Sequence, residues 1–125
     1  MIFDTDVLIW TLRGNPGAAC TINAATERAI SVVSFMELLQ GTRSKLEIRR
    51  IQQSLLELQF NLLPLSESIG TTATALIEQH ALSHGIHVAD ALIAATAILS
   101  GQRLCTANIK HFRPIRGLSL IAFRP

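Results

Sequence analysis

Tyrosine is absent, tryptophan occurs once and phenylalanine five times in 125 residues, so aromatic side chains make up only 5% of the chain. A surface that reads nucleic acid by stacking bases on rings has little to be built from here. Charge is also scarce: charged residues are 16% of the chain, with nine acids against eleven Lys and Arg and a net charge of +2. A balance that small excludes a uniformly basic coat for nucleic acid and moves the question to where the charges sit. No run approaches the ~18 apolar residues a membrane span needs. Asp4 and Asp6 break the one apolar stretch near the start, which argues against a signal peptide and for a cytoplasmic protein. Cysteine occurs only twice, at the widely separated Cys20 and Cys105, and the expectation is two reduced, buried thiols. What is present is apolar: 49% hydrophobic residues and a mean hydropathy of +0.37. That exclude a disordered chain, imply a core able to stand alone, and suggest a further buried interface such as a dimer. With no repeat, linker or low-complexity stretch, one domain over 1–125 is expected.

Strand and helix signals alternate along the chain. Met1-Ile2-Phe3 predicts a strand, and the apolar character continues through Val7-Leu8-Ile9-Trp10. Asn15-Pro16 reads as an N-cap with proline at the first helical position, opening a helix to about Arg28. Ala29 to Val33 predicts a buried strand, and Phe35, Leu38 and Leu39 recur at helical spacing until Gly41. Ser44 to Glu57 is amphipathic with a basic outer face. Phe60 to Leu63 predicts a strand stopped by Pro64. Ser66 caps a helix to His84 closed by Gly85, and Val88 to Leu99 forms an apolar helix ended by Gly101. Leu104-Cys105-Thr106 and Leu118 to Ile121 are the last strands. This alternation gives a three-layer α/β/α domain with a mainly parallel central sheet.

Five acids, Glu27, Glu47, Glu57, Glu67 and Glu78, fall on polar faces or at helix starts and read as solvated surface charge. The other four do not. Asp4 and Asp6 are expected at the end of the first strand, where α/β folds keep their sites and where a buried carboxylate is otherwise costly. Glu37 follows an apolar run, in what the pattern makes the first turn of a helix, and Asp90 is the one acid of the helix from Val88. Each alone has an ordinary explanation, such as charge favoured by a helix N-terminus. Together they put unpaired carboxylates from three segments in apolar context with no adjacent Lys or Arg, an arrangement that needs a cation. A set of oxygens without paired His or Cys selects Mg²⁺ or Mn²⁺ over zinc.

The ordered set of Asp4-Thr5-Asp6-Val7-Leu8-Ile9, Ser34-Phe35-Met36-Glu37-Leu38-Leu39-Gln40-Gly41, Val88-Ala89-Asp90-Ala91-Leu92-Ile93-Ala94-Ala95 and Leu104-Cys105-Thr106-Ala107-Asn108-Ile109-Lys110-His111-Phe112 resembles the PIN domain. Within that family it looks like the VapC-type toxin ribonucleases of bacterial toxin–antitoxin pairs. The resemblance implies an Mg²⁺- or Mn²⁺-dependent endoribonuclease whose catalytic, metal-binding acids fall on Asp4, Glu37 and Asp90. It implies supporting roles for Asp6, where the family usually carries Asn or Ser, and for Thr106. The family's fourth position, often Asp, is Asn108 here, and a second acid common in that motif is replaced by His111. Asn108 offers an oxygen but no charge. The resemblance also implies a VapB-type antitoxin, a homodimer, and contact with operator DNA only through the antitoxin. Arg43, Lys45 and Arg49, with Arg50 beside them, and Lys110 and Arg113, with Arg116, are the expected phosphate contacts on RNA. The basic helix from Ser44 to Glu57 is the expected place for part of the antitoxin. His80, His84 and His87 crowd a helix end and the turn after it, where His complements the helix dipole.

Two other readings use the same residues. A phospho-acceptor receiver domain also carries paired N-terminal acids, but it needs an Asp after a central strand, and no Asp lies between Asp6 and Asp90. A PIN-like fold that binds without catalysis is the alternative that Asn108 raises.

Overall fold

The strands are only two or three residues long, and the pleat alone divides them between two cores. The computed structural model describes residues 1–125. Five strands, β1 (Ile2–Phe3), β2 (Ala29–Ser31), β3 (Asn61–Leu63), β4 (Leu104–Thr106) and β5 (Leu120–Ala122), form one sheet in the order β3-β2-β1-β4-β5. Every pairing is parallel. Successive side chains leave opposite faces: Ile2, Ala29 and Leu104 enter one apolar cluster, and Phe3, Ile30 and Cys105 enter the other.

Seven helices cover the two faces: α1 (Thr5–Leu12), α2 (Pro16–Ala24), α3 (Val32–Gln40), α4 (Lys45–Glu57), α5 (Glu67–His84), α6 (Val88–Ser100) and α7 (Ile109–Phe112). Val7 and Leu8 of α1, Ile22 of α2 and Ile51 of α4 pack on the face of Phe3. On the other face stand Ile69, Ala73 and Leu76 of α5, Phe112 of α7, and Ala91, Ile93, Ala94, Ala95 and Ala97 of α6. The small residues of α6 let it lie close against α5 and the sheet. Helix α3 serves both cores, giving Val33 to one and Leu38 to the other. It is therefore wedged between α1 and α6, which places Glu37 at their junction.

Most boundaries follow the caps legible in the sequence. Asn15 Oδ1 accepts from Ala18 N at 2.9 Å, Ser44 Oγ from Glu47 N at 3.2 Å and Ser66 Oγ from Ile69 N at 3.2 Å. Gly85 and Gly101 close α5 and α6 in the left-handed region, at φ 64° and 65°, where glycine carries no Cβ penalty.

Four expectations change. Asp6 and the apolar run Val7–Trp10 after it are helical, so of the two acids only Asp4 follows the strand directly: it caps α1, and β1 ends after Phe3. Helix α2 stops at Ala24 rather than near Arg28. β2 ends at Ser31, whose hydroxyl caps α3 from Val33 N at 3.1 Å, so Glu37 lies beyond the first turn and its charge is not explained by the helix N-terminus. Cys20 is exposed on α2, and only Cys105 is buried. Burial, with Asp6 and Asp4 nearby, pushes the Cys105 thiol up to about 11, so it stays protonated.

Candidate active site at the carboxyl ends of β1 and β4

The chain leaves β1 for β2 and β3 on one side, then returns to β4 on the other side of β1. That reversal opens a crevice at the carboxyl ends of β1 and β4, where open α/β sheets bind their ligands. Asp4 is the residue after β1 and Thr106 the last of β4. Asp4 is buried, with 7% of its surface exposed, and Thr106 is fully buried. Thr106 Oγ1 donates to Asp4 Oδ2 at 2.8 Å, and Thr5 N donates to Asp4 Oδ1 at 2.8 Å. The hydroxyl has one proton and gives it to Asp4, while lying 3.5 Å from Asp6 Oδ2. Asp6 Oδ2 accepts from Ala107 N at 3.0 Å, and Asp6 Oδ1 is buried with no partner.

Glu37 joins this group through Thr5, whose Oγ1 donates to Glu37 Oε1 at 2.7 Å. Asp90 stands in the first turn of α6, near enough for its charge to act on both Asp4 and Asp6. Asn108 N donates to Thr106 Oγ1 at 2.9 Å, and the Asn108 amide lies 2.9 Å from His111 Nδ1. That ring nitrogen is 3.4 Å from Asp90 Oδ2.

The electrostatics are those of anions gathered without a counterion. Burial first, and the neighbouring Asp6 second, push Asp4 up to about 7, against the hydrogen bonds from Thr106 and Thr5 that favour its ionised form. Asp6 is raised as well, chiefly by burial, with the amide of Ala107 opposing. No Lys or Arg pairs with any of the nine acids; the one charged contact is His111 with Asp90. The donor set is oxygen from Asp4, Asp6, Glu37 and Asp90, one oxygen of it orphaned, and such a set suits a hard divalent cation. No three His, Cys, Asp or Glu side chains converge into a ready-made cage, and Glu37 is held to Thr5 rather than turned to a common point. The residues therefore fit a divalent ion in chemistry, while their side chains do not point to one common position.

Arg43, Lys45, Arg49, Lys110 and Arg113 are all exposed. Beside Glu37 a groove of about 510 Å³ runs between α1, α3 and α4, lined by Ile9, Leu12, Arg13, Leu38, Arg50 and Ile51 among others. The roles of Thr5 and Arg13 depend on α1, which the local sequence does not announce. Once residues 5–12 are helical, Asp6, Ile9 and Arg13 fall at three- and four-residue spacing on one face.

Residues 1–117 match the family model described as PIN domain. Ribonuclease VapC10 of Mycobacterium tuberculosis is 37% identical over 118 residues, covering 90% of this chain and 85% of that protein. Ribonuclease VapC1 of Rickettsia felis is 32% identical over 127 residues, covering 97% and 94%. Among solved structures, a toxin-antitoxin complex from Klebsiella pneumoniae superposes with a TM-score of 0.82 at 30% identity, over 97% of this chain and 95% of that one. VapBC2 from Rickettsia felis, bound to a DNA fragment from its promoter, reaches 0.83 at 23% identity, over 99% and 100%, and shows the shared fold. The chain therefore belongs to the PIN-domain family, and its curated relatives within it are VapC ribonucleases.

Proposed function

We propose that this protein is a divalent-metal-dependent endoribonuclease, the toxin of a toxin–antitoxin pair. One observation carries the reading: a buried Asp4, raised to about 7 and ringed by Asp6 and Asp90, has no basic side chain paired with it. Asp4, Asp90 and Glu37 would hold Mg²⁺ or Mn²⁺, with Asp6 and Asn108 in support. Bound there, such an ion would neutralise phosphoryl charge and make water nucleophilic at neutral pH. Thr106 fixes Asp4 by its 2.8 Å hydrogen bond, and Thr5 fixes Glu37 by its own at 2.7 Å. Arg43, Lys45, Arg49, Lys110 and Arg113 supply salt-dependent phosphate contacts, which hold RNA without reading its sequence.

Cellular RNA incubated with the protein, with and without Mg²⁺ or Mn²⁺ and beside Asp4→Asn, tests this. Cleavage that needs the ion and vanishes in the variant supports it. Metal binding without cleavage points to a narrow RNA substrate or a bound inhibitor, whereas neither cleavage nor metal binding favours a binding-only PIN module, the reading that the uncharged Asn108 raises.

The antitoxin proposal rests on the groove beside Glu37. Ile9, Leu12, Leu38 and Ile51 offer an apolar floor, with Glu37 and Glu47 set among Arg13 and Arg50 on its walls, so a short apolar segment flanked by charged side chains of both signs fits it. Ile9→Asp is expected to abolish the complex with a co-expressed antitoxin and leave the isolated protein folded. Self-association is proposed on exposed Leu62, Leu65 and Leu99. Sedimentation equilibrium reads it directly, and any contact with operator DNA is expected only when the antitoxin is present.

A further inference from the structure

The turn from Asn108 to His111 brings a nitrogen donor into a site otherwise made of oxygens. Resting on the metal-dependent reading above, we infer that His111 Nδ1 is itself a metal ligand, shared with Asp90, and that it shifts the site's preference from Mg²⁺ toward transition-metal ions.

The contact between His111 Nδ1 and Asp90 Oδ2, at 3.4 Å, is the first reason. A charge-assisted hydrogen bond would be shorter, about 2.7–2.9 Å. Two atoms that each lie ~2.1 Å from one ion are instead separated by roughly 3.0–3.4 Å, from right-angle to tetrahedral arrangement. The second reason is a third neighbour: the amide of Asn108 lies 2.9 Å from the same Nδ1. Turning that amide about its own axis presents Oδ1 in place of Nδ2. Third, the group is continuous with the carboxylates. Asp4 Oδ2 is bound by Thr106 Oγ1, which accepts from Asn108 N, and the Asn108 side chain meets His111, which meets Asp90.

The placement of His111 is built rather than incidental. Its neighbour Phe112 is fully buried in the α5–α6 core, which anchors α7 and holds the preceding side chain at the crevice. The ring of His87 sits edge-on to that of His111, centroids 6.3 Å apart. Residues 101–125 contain no acid, so on this wall of the crevice the ionisable donor is an imidazole. Imidazole is a poor partner for Mg²⁺ and a good one for borderline transition-metal ions.

Mn²⁺ serves as the probe, because pulsed electron paramagnetic resonance detects nitrogen bound to it independently of activity. The wild type is expected to bind Mn²⁺ and show modulation from one imidazole ¹⁴N, retained in His87→Gln and lost in His111→Gln. The His111→Gln change should weaken Mn²⁺ by roughly 10-fold, the scale of losing a ligand-shell contact, and leave Mg²⁺ affinity nearly unchanged. His111→Asp, a second variant that restores an oxygen donor, should also lose the modulation and favour Mg²⁺. Mn²⁺ bound to the wild type without nitrogen modulation, or modulation that survives in His111→Gln, overturns the inference and leaves the nuclease reading standing. Failure of the wild type to bind Mn²⁺ at all overturns both.

Discussion

The crevice has two halves held in different ways. Asp4 stands at the end of the sheet, buried, and the half-buried Asp6 follows it in the first turn of α1; both are bonded to backbone amides and lie at the hydroxyl of Thr106. Glu37 and Asp90 come from the more distant helices α3 and α6. Glu37 is exposed with one hydroxyl partner, and the Asp90 side chain keeps 20% of its surface exposed beside a half-exposed His111. The sheet half is rigid and keeps its carboxylates in an unfavourable place; the helix half has room to adjust. A metal site that must close around its ion and reopen for products is served by that division, with one set of ligands fixed and the other movable.

The sharpest way to break the comparison is to remove the carboxylate charge from the rigid half. Asp4→Asn is expected to reduce RNA cleavage by at least ~10³-fold, a loss of several kcal/mol of transition-state stabilisation. The same change should raise the melting temperature of the metal-free protein at pH 8. The folded state holds Asp4 protonated up to about 7, whereas the unfolded chain releases that proton near the ordinary value of 3.8. Between these values the native state binds more protons, so metal-free wild type loses stability as pH rises from about 4 to about 7 and levels off above. The full difference is on the order of 4 kcal/mol, from ~1.4 kcal/mol per pKa unit. Thermal melts from pH 4 to pH 8 should show this slope in the wild type and a markedly shallower one in Asp4→Asn, where only Asp6 remains raised by burial. Adding Mn²⁺ at pH 8 should recover the lost stability. A flat wild-type profile would show that Asp4 is not desolvated as described.

Thr106→Val keeps shape but removes the donor to Asp4. It is expected to weaken metal binding ~10–100-fold, the usual effect of losing a group that orients a ligand. It should also destabilise the fold by about 1–3 kcal/mol. Thr5→Val makes the corresponding cut in the movable half by freeing Glu37. Its expected effect is smaller, about 10-fold on cleavage, with little change in stability. Calorimetric metal titrations and denaturant melts on the two variants give the comparison directly. Equal losses from both would mean that Glu37 is held as firmly as Asp4, and the division would fail.

The local parts of this structure were legible because they depend on local chemistry. Asn15, Ser44 and Ser66 announce helix starts by their side-chain oxygens, and Gly85 and Gly101 announce helix ends. Residues 5–12 are not legible as a helix because a buried strand and a buried helix share one apolar signature over so short a run. The cue that separates them is Asp4 itself, which acts as a cap as well as a candidate ligand. Glu37 was assigned to a first turn because Val32 and Val33 favour strand, yet the Ser31 cap starts α3 at Val32. Thr5 carried no sequence signal, since its role depends on α3 being wedged beside α1.

By itself the sequence determined the alternation of strands and helices, the parallel three-layer fold, and the three segments that each hold an acid in apolar context. Those follow from periodicity, capping and the cost of burying charge, all of which act over a few residues. Only the tertiary structure decided that Asp4 and Thr106, 102 positions apart, share a hydrogen bond, that Thr5 holds Glu37, and that His111 meets Asp90. These contacts depend on which strand lies beside β1 and on α3 being held between two cores. Such long-range neighbours are fixed by packing, and no short stretch of the chain encodes them.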